Sequence, residues 1–225
     1  MGVAYTPRVT VSLSSGWTQA GVASADIVQT DGVRTLRLTR VQLVVRSLEL
    51  KRRYQSGCAA SGGAPGACRA YVVGPLLLDL PLDRESSSLL ALDVPPGVYD
   101  EVDFDLHKPD DDSPQDIAFL AEHPAFRGVS VRAEGEFEGT WFVFVQDLNG
   151  RQEADLVPPL QIQTDAPETV VTLRVDARRW FWDGPTLLDP RSGLKGHPNE
   201  RIIEDNIEAS IEAFEDRDRD GAPDA

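Results

Sequence analysis

The sequence is short of most residues on which simple catalytic chemistry is built. Its 225 residues include two cysteines, three histidines and one methionine. No Gly-x-Ser-x-Gly elbow occurs, and the Gly-rich stretch 61–66 lacks the lysine and the helix of a phosphate loop, so nucleophilic and phosphate chemistry have no local signature here. No apolar run nears the roughly 20 residues that a membrane helix needs; "YVVGPLLLDLPL" and "TWFVFV" come closest, and both are short or broken. Positive charge is scarce too, with 22 Lys and Arg against 37 Asp and Glu for a formal net charge of −15. That field repels nucleic-acid phosphates and steers cations and basic proteins toward the chain. "MGVAYTPRVTVSL" has neither a basic start nor the apolar core of a signal peptide. The expectation is therefore a cytosolic protein, or one from which a targeting segment or lipid anchor has been cut off.

What is present is β structure. A hydrophobic share of 41% is enough for the core of one domain, 1–225, with the acids on its surface. Two-residue alternation runs through "RVTVSLSS", "TLRLTRVQLVVRSLELKR", "YVVGPLLLDL", "LLALDVP", "VYDEVDFDLHK", "VSVRAEGEFEGTWFVFVQDL" and "ETVVTLRVDARRWFW", broken by Gly, Pro and Asp at sandwich-like intervals. In "EVDFDLH", Val102, Phe104 and Leu106 face one way and Glu101, Asp103, Asp105 and His107 the other, as a sheet with one buried and one wet face requires. Glu138-Gly139 reads as a hairpin turn, and "PPGVYD" as a second turn. The fold class expected is mainly β: an antiparallel β-sandwich, prealbumin- or immunoglobulin-like, with a short inserted helix at 113–123 and a C-terminal amphipathic helix at 199–216. Ser113 and Pro114 are the start signals of the first helix, which places Ile117 and Leu120 on one side. Asn199 caps the second, whose stripe is Ile203, Ile207, Ile211 and Phe214. The cluster Trp180, Phe181, Trp182 reads as a packing anchor.

Cys58 and Cys68 bracket "AASGGAPGA". Closing this loop of small residues with a disulfide would stabilise by roughly 2 to 3 kcal/mol through the unfolded state. Such bridges persist mainly in secreted and periplasmic proteins; the alternative is two thiols in an intracellular loop.

"LTRVQLVVRSLELKR", "VGPLLLDLPLD", "ALDVPPGVYDEVDFDLHKP" and "EDNIEASIEAFEDRDRDG" together resemble a family of bacterial envelope proteins known only as a domain of unknown function and found in secreted proteins and lipoproteins. The resemblance implies a prealbumin-like sandwich and a periplasmic or extracellular location. It transfers no catalytic residue.

The chain closes on "FEDRDRDGAPDA", which has the opening half of a calcium loop. Calcium takes six to eight oxygens, supplied by carboxylates at alternate positions with Gly at the sharp turn. Asp216, Asp218 and Asp220 fill positions one, three and five, Gly221 fills six, the Ala222 carbonyl could serve at seven, and Asp224 falls at nine. The acid expected at twelve is missing, so Glu212, Glu215 or a sandwich residue would have to replace it. The alternative is a solvated acidic tail continuing from a frayed helix. A second acidic place, "HKPDDDSPQD", puts Asp110, Asp111, Asp112 and Asp116 near a helix start, with His107 able to join them around a transition metal; a capped turn explains the same residues. Asp103 and Asp105 are close enough to be tested as a glycosidase pair, although acids alternating on a wet strand face need no such role.

These residues point away from an enzyme. The leading expectation is a non-enzymatic secreted or periplasmic binding or assembly protein, partnered by protein and not nucleic acid, such as an accessory subunit on the outer face of a membrane-bound complex. The alternative is a calcium-stabilised carbohydrate-binding or adhesion module, with Trp17, Trp141, Trp180 and Trp182 as its aromatic supply.

Overall fold

The protein is described here from a computed structural model, covering residues 7–15, 26–52, 70–82, 87–110, 112–163 and 169–224. Cys58, Cys68, Trp17 and Asp111 lie outside the described residues. The strands are β1 Arg8–Ser14, β2 Ile27–Thr30, β3 Thr35–Arg52, β4 Ala70–Asp79, β5 Ser87–Asp93, β6 Gly97–Leu106, β7 Val131–Phe137, β8 Thr140–Gln146, β9 Gly150–Ile162 and β10 Thr169–Val175; all but β2 and β9 fall in the segments marked by two-residue alternation. A small hairpin of β11 Trp182–Asp183 and β12 Thr186–Leu187, and β13 Ile211–Glu215, complete the strands. Helix α1 is Pro114–Glu122 and α2 is Glu200–Glu208.

β3 is the spine of the larger sheet. Its 18 residues pair along one edge with β2 and then β4. Along the other edge they pair with β7 and then β6, and β8 and β9 extend the sheet outward. The smaller sheet runs β13-β10-β1-β5. The two sheets meet along their margins, β9 beside β13 and β4 beside β5. All these pairs are antiparallel except β1 with β10, which is parallel. Between the sheets lies one apolar core that includes Val9, Val11 and Leu13 from β1, Leu36, Leu38, Leu48 and Leu50 from β3, and Val102, Phe104 and Leu106 from β6. Each such side chain contributes about 1.5 to 3 kcal/mol on burial.

The turns follow their sequence signals. Glu138 and Gly139 both adopt positive φ, 52° and 71°, the conformation of a two-residue hairpin turn that keeps the strand twist. Gly135 lets β7 approach β3 closely, since a Cβ there would stand 1.9 Å from the Arg37 carbonyl oxygen.

Three expectations need correction. The C-terminal helix does not run over 199–216. It ends at Glu208 with Ala209 as its C-cap, and Ile211–Glu215 is a strand paired with β10. Buried Ser210 makes the break: its hydroxyl accepts from the Trp180 indole (2.8 Å) and donates to the Ile207 carbonyl, while its own carbonyl accepts from the Asp176 amide. The chain then fills the open edge of β10, which offers more hydrogen bonds and burial than another helical turn would. Asn199 occupies the N-cap position of α2 without a side-chain capping bond, because its amide donates to the Ser192 hydroxyl. In α1, Ser113 caps as expected, accepting from the Asp116 amide, but Ile117 is 54% exposed and the buried positions are Asp116, Phe119 and Leu120. Phe119 and Leu120 pack with Val44 and Phe126 in a satellite cluster.

The wet face of β6 is also drier than its alternation suggests, since Asp103 and His107 are 4% and 2% exposed. Trp180 and Phe181 are fully buried, with Phe181 edge-on to Phe144 at 5.1 Å. They are the packing anchor for the segment that joins β10 to α2.

Candidate functional site

β13 delivers the acidic C-terminal loop to the end of the smaller sheet. The Asp216 amide donates to the Val170 carbonyl (3.0 Å), and the Asp216 side chain is fully buried. Its Oδ2 accepts from the Thr172 hydroxyl (2.6 Å) and the Gly221 amide (3.2 Å), and its Oδ1 from the Asp220 amide (3.0 Å). A buried carboxylate with so many donors is a built feature, because an unpaired one would be costly. Arg219 and Gly221, at φ 61° and 78°, wind the chain back so that these amides face Asp216. The loop is thus folded onto a strand end; it does not continue from a helix.

The aspartates converge. One oxygen from each of Asp216, Asp218 and Asp220 lies within 4.8 Å of the others. Oxygens bound to a single calcium at 2.3–2.6 Å can stand at most about 5 Å apart, so the three could hold one ion. These carboxylates accept from the Thr172 hydroxyl and from backbone amides: the Asp220 amide also reaches Asp218 (3.3 Å), and the Ala222 amide donates to Asp220 (2.8 Å). Asp224 falls outside the group. Its carboxylate accepts from the Arg217 amide (2.8 Å) and its own amide donates to the Glu215 carbonyl (3.2 Å), which clasps the neck of the loop. Neither substitute for the missing twelfth position is supplied, since Glu215 pairs with Arg217 and Glu212 with Arg174.

A second group of three acids forms on the outer face of the larger sheet, where Glu101, Asp103 and Glu153 also bring oxygens within 4.8 Å. Here the cation is already present. The Lys51 ammonium lies 2.8 Å from Asp103 and 3.6 Å from Glu153 and contacts Glu101, while Arg151 contacts Asp103 and reaches Glu153 at 3.5 Å. Asp103 is held by charge pairing alone, for neither of its oxygens makes a hydrogen bond of good geometry. Asp105 accepts from the Ser47 hydroxyl (2.9 Å). Asp103 and Asp105 are therefore both engaged by side chains of neighbouring strands.

His107 and Asp116 form a buried pair, the histidine Nε2 standing 2.9 Å from both Asp116 oxygens. Arg46 approaches Nδ1 at 2.8 Å. Because arginine only donates, Nδ1 accepts and Nε2 carries the proton toward Asp116. Burial raises the Asp116 carboxyl, but the His107 bond, the Asp110 amide and Ser113 outweigh it and hold the group below its ordinary value. The arrangement fastens α1 to the sheet, as the capped-turn reading implies, and Asp110 and Asp112 stay in the turn, where the Asp112 amide donates to Asp110.

Two surface grooves also lie among the described residues. One of about 410 Å3 is lined by Arg178, Arg179, Trp182, Gly184, Asn206 and Ala209. The other, of about 470 Å3, runs from Leu148 along α2 past Glu200, Glu204, Asp205 and Glu208. Burial raises the Glu204 carboxyl, and the charges of Glu200, Asp147, Glu208 and Asp205 raise it further.

Among the described residues no helix is long and apolar enough to cross a membrane. No family model matches the chain, and no curated protein or solved structure matches it significantly.

Proposed function

We propose that the chain is a non-enzymatic binding or assembly module of the periplasm or cell exterior, with calcium as the structural ion of its C-terminal loop. One observation carries the reading: Asp216, Asp218 and Asp220 converge on one point with amide and hydroxyl partners, whereas the Glu101, Asp103 and Glu153 group is filled by its own lysine and arginine. Hard oxygen ligands in alternation suit calcium, and sites with few charged ligands operate at the high calcium levels found outside cells. The resemblance of the β3–β6 segments and of "EDNIEASIEAFEDRDRDG" to bacterial envelope proteins points to the same location. Asp103 is engaged by Lys51 and Arg151, and Asp116 by His107, which supports a binding role over catalysis.

The test is thermal unfolding in excess calcium and in chelator, for the wild type and for Asp218→Ala. A ligand at a hundredfold over its dissociation constant adds about 2.7 kcal/mol to the native state. The midpoint should rise with calcium in the wild type and stay fixed in the variant. A wild type that ignores calcium would leave the loop as a self-sufficient acidic turn.

A carbohydrate-binding role is the second reading, favoured by the groove that sets Trp182 beside Arg178, Arg179 and Asn206. It has a narrower aromatic basis than the sequence suggested, because Trp180 is buried. Tryptophan fluorescence titrated with a glycan panel tests it; silence across the panel removes it.

A further inference from the structure

β8 stands at the end of the larger sheet, with β7 as its single strand partner among the described residues. Native edge strands are commonly blunted by lysine, proline or a bulge. "TWFVFVQ" has no charged residue and no proline, and its pairing with β7 runs without a register shift. Its inward side chains Phe142, Phe144 and Gln146 are buried, while outward Trp141 and Val143 are 53% and 37% exposed. Among the described residues this is an apolar edge on a chain of net charge −15, with Glu134 and Glu136 of β7 opposite Val143 and Trp141, so an added strand that carries positive charge would be favoured there.

The edge does not end in neutral surroundings. Two residues past β8, Leu148 opens the groove along α2, whose wall carries the carboxylates of Glu200, Glu204, Asp205 and Glu208 against Arg201 and His197. At the junction Asp147 accepts from Lys108 (3.4 Å) and Lys195 (2.6 Å). Burial and then the crowded acids of the groove push the Glu204 proton affinity up, and the mutual repulsion of the acids would be relieved by a cation lying among them.

We infer that the β8 edge and the α2 groove form one docking surface for an extended segment of a partner protein, basic residues first and then apolar residues at alternate positions. The inference rests on the binding-module reading and names the partner's chemistry. Strand addition supplies main-chain hydrogen bonds, and side chains at alternate positions read the edge. An incoming segment antiparallel to β8 places its N-terminal residues at the Gln146 end, beside Leu148, so its lysines or arginines enter the groove while its apolar residues cover Trp141 and Val143. Charge selects this occupant over a second copy of the chain, which would bring one acidic groove and one strongly negative surface against another.

The probe is a fluorescein-labelled peptide, Lys-Arg-Lys-Val-Thr-Val-Thr-Val-Thr, followed by fluorescence anisotropy against the full chain. Control peptides carry Glu-Asp-Glu at the start, or Pro at the central Val. Binding should weaken by about tenfold or more for either control, for Val143→Lys, and for the Glu204→Gln/Glu208→Gln double variant. Val143 is surface-exposed and the groove variants remove mutual repulsion, so folding should be retained; the Pro peptide tests strand addition on the unaltered protein. Equal binding of the basic and acidic peptides, or affinity unchanged by Val143→Lys and by the Pro peptide, would overturn the proposal. So would a concentration-dependent dimer in sedimentation that Val143→Lys abolishes, since the edge would then belong to a second copy. The calcium response of the loop is read separately, so loss of one result leaves the other standing.

Discussion

Two triads of carboxylates, built from the same chemistry, have different partners in this molecule. Glu101, Asp103 and Glu153 project from β6 and β9, and the registers Lys51↔Glu101 and Asp103↔Glu153 bring Lys51 and Asp103 into one cross-strand patch with Arg151 beside them. Asp216, Asp218 and Asp220 sit in a loop whose winding directs backbone amides inward. The difference teaches that convergence of acids is not in itself a metal site. What decides is whether the fold already provides the cation, and a sheet face, with two neighbouring strands contributing side chains, does so far more readily than a loop.

The strongest way to break the comparison is Lys51→Met. It leaves Asp103, 4% exposed, with Arg151 as its remaining partner, and removing one member of a buried ion pair costs about 3 to 5 kcal/mol, less where solvent reaches the site as it does here. Urea unfolding at neutral pH should show a loss of about 2 to 4 kcal/mol. A loss under about 0.5 kcal/mol, typical of exposed pairs, would mean that solvent and not Lys51 compensates the triad.

The His107–Asp116 pair sharpens the comparison on a group buried between helix and sheet. Asp116 is held below its ordinary 3.8, so in the window beneath that value the unfolded chain binds more protons than the folded one and stability rises with pH. Its contribution is fully present above 3.8 and disappears as pH falls toward the depressed folded value. Asp116→Asn should cost about 1 to 3 kcal/mol at neutral pH through the lost charge-assisted bond, and should flatten the stability profile in that acid window. An unaltered slope would show that other carboxylates set it.

Glu204 gives the smallest and opposite effect. Its carboxyl is raised by burial and by four acidic neighbours, so its ionised form costs stability at neutral pH, and that cost fades as pH falls through its folded value. Glu204→Gln should stabilise by about 0.5 kcal/mol, visible as a small rise in the urea midpoint at pH 7 that vanishes in acid.

How much of this was legible in the sequence depends on the range of the interaction. The strands were legible where period-two alternation met a strong turn: Glu138-Gly139 marks β7 and β8, and "PPGVYD" marks the entry to β6. β9 carries alternating Ala154, Leu156, Leu160 and Ile162, but Pro158 and Pro159 disguise it; prolines are tolerated there because β9 is the edge strand beyond β6, as position in a sheet allows. β13 carries a helical signal in the sequence, because Ile203, Ile207, Ile211 and Phe214 fit one helical stripe. Its conversion depends on Ser210 meeting Trp180 and on the open edge of β10, contacts that one sequence does not announce. The same holds for the site. The spacing of Asp216, Asp218 and Asp220 is local and was visible, whereas the burial of Asp216 against Thr172, 44 residues away, and the arrival of Lys51 at Glu101, 50 residues away, are consequences of strand register.

Isothermal titration of calcium into the wild type, Asp218→Asn and Lys51→Met tests the contrast between the two triads most directly. The account predicts one site in the wild type, its loss in Asp218→Asn and its retention in Lys51→Met. Binding that survives Asp218→Asn would contradict it, because the ion would then reside somewhere other than the C-terminal loop.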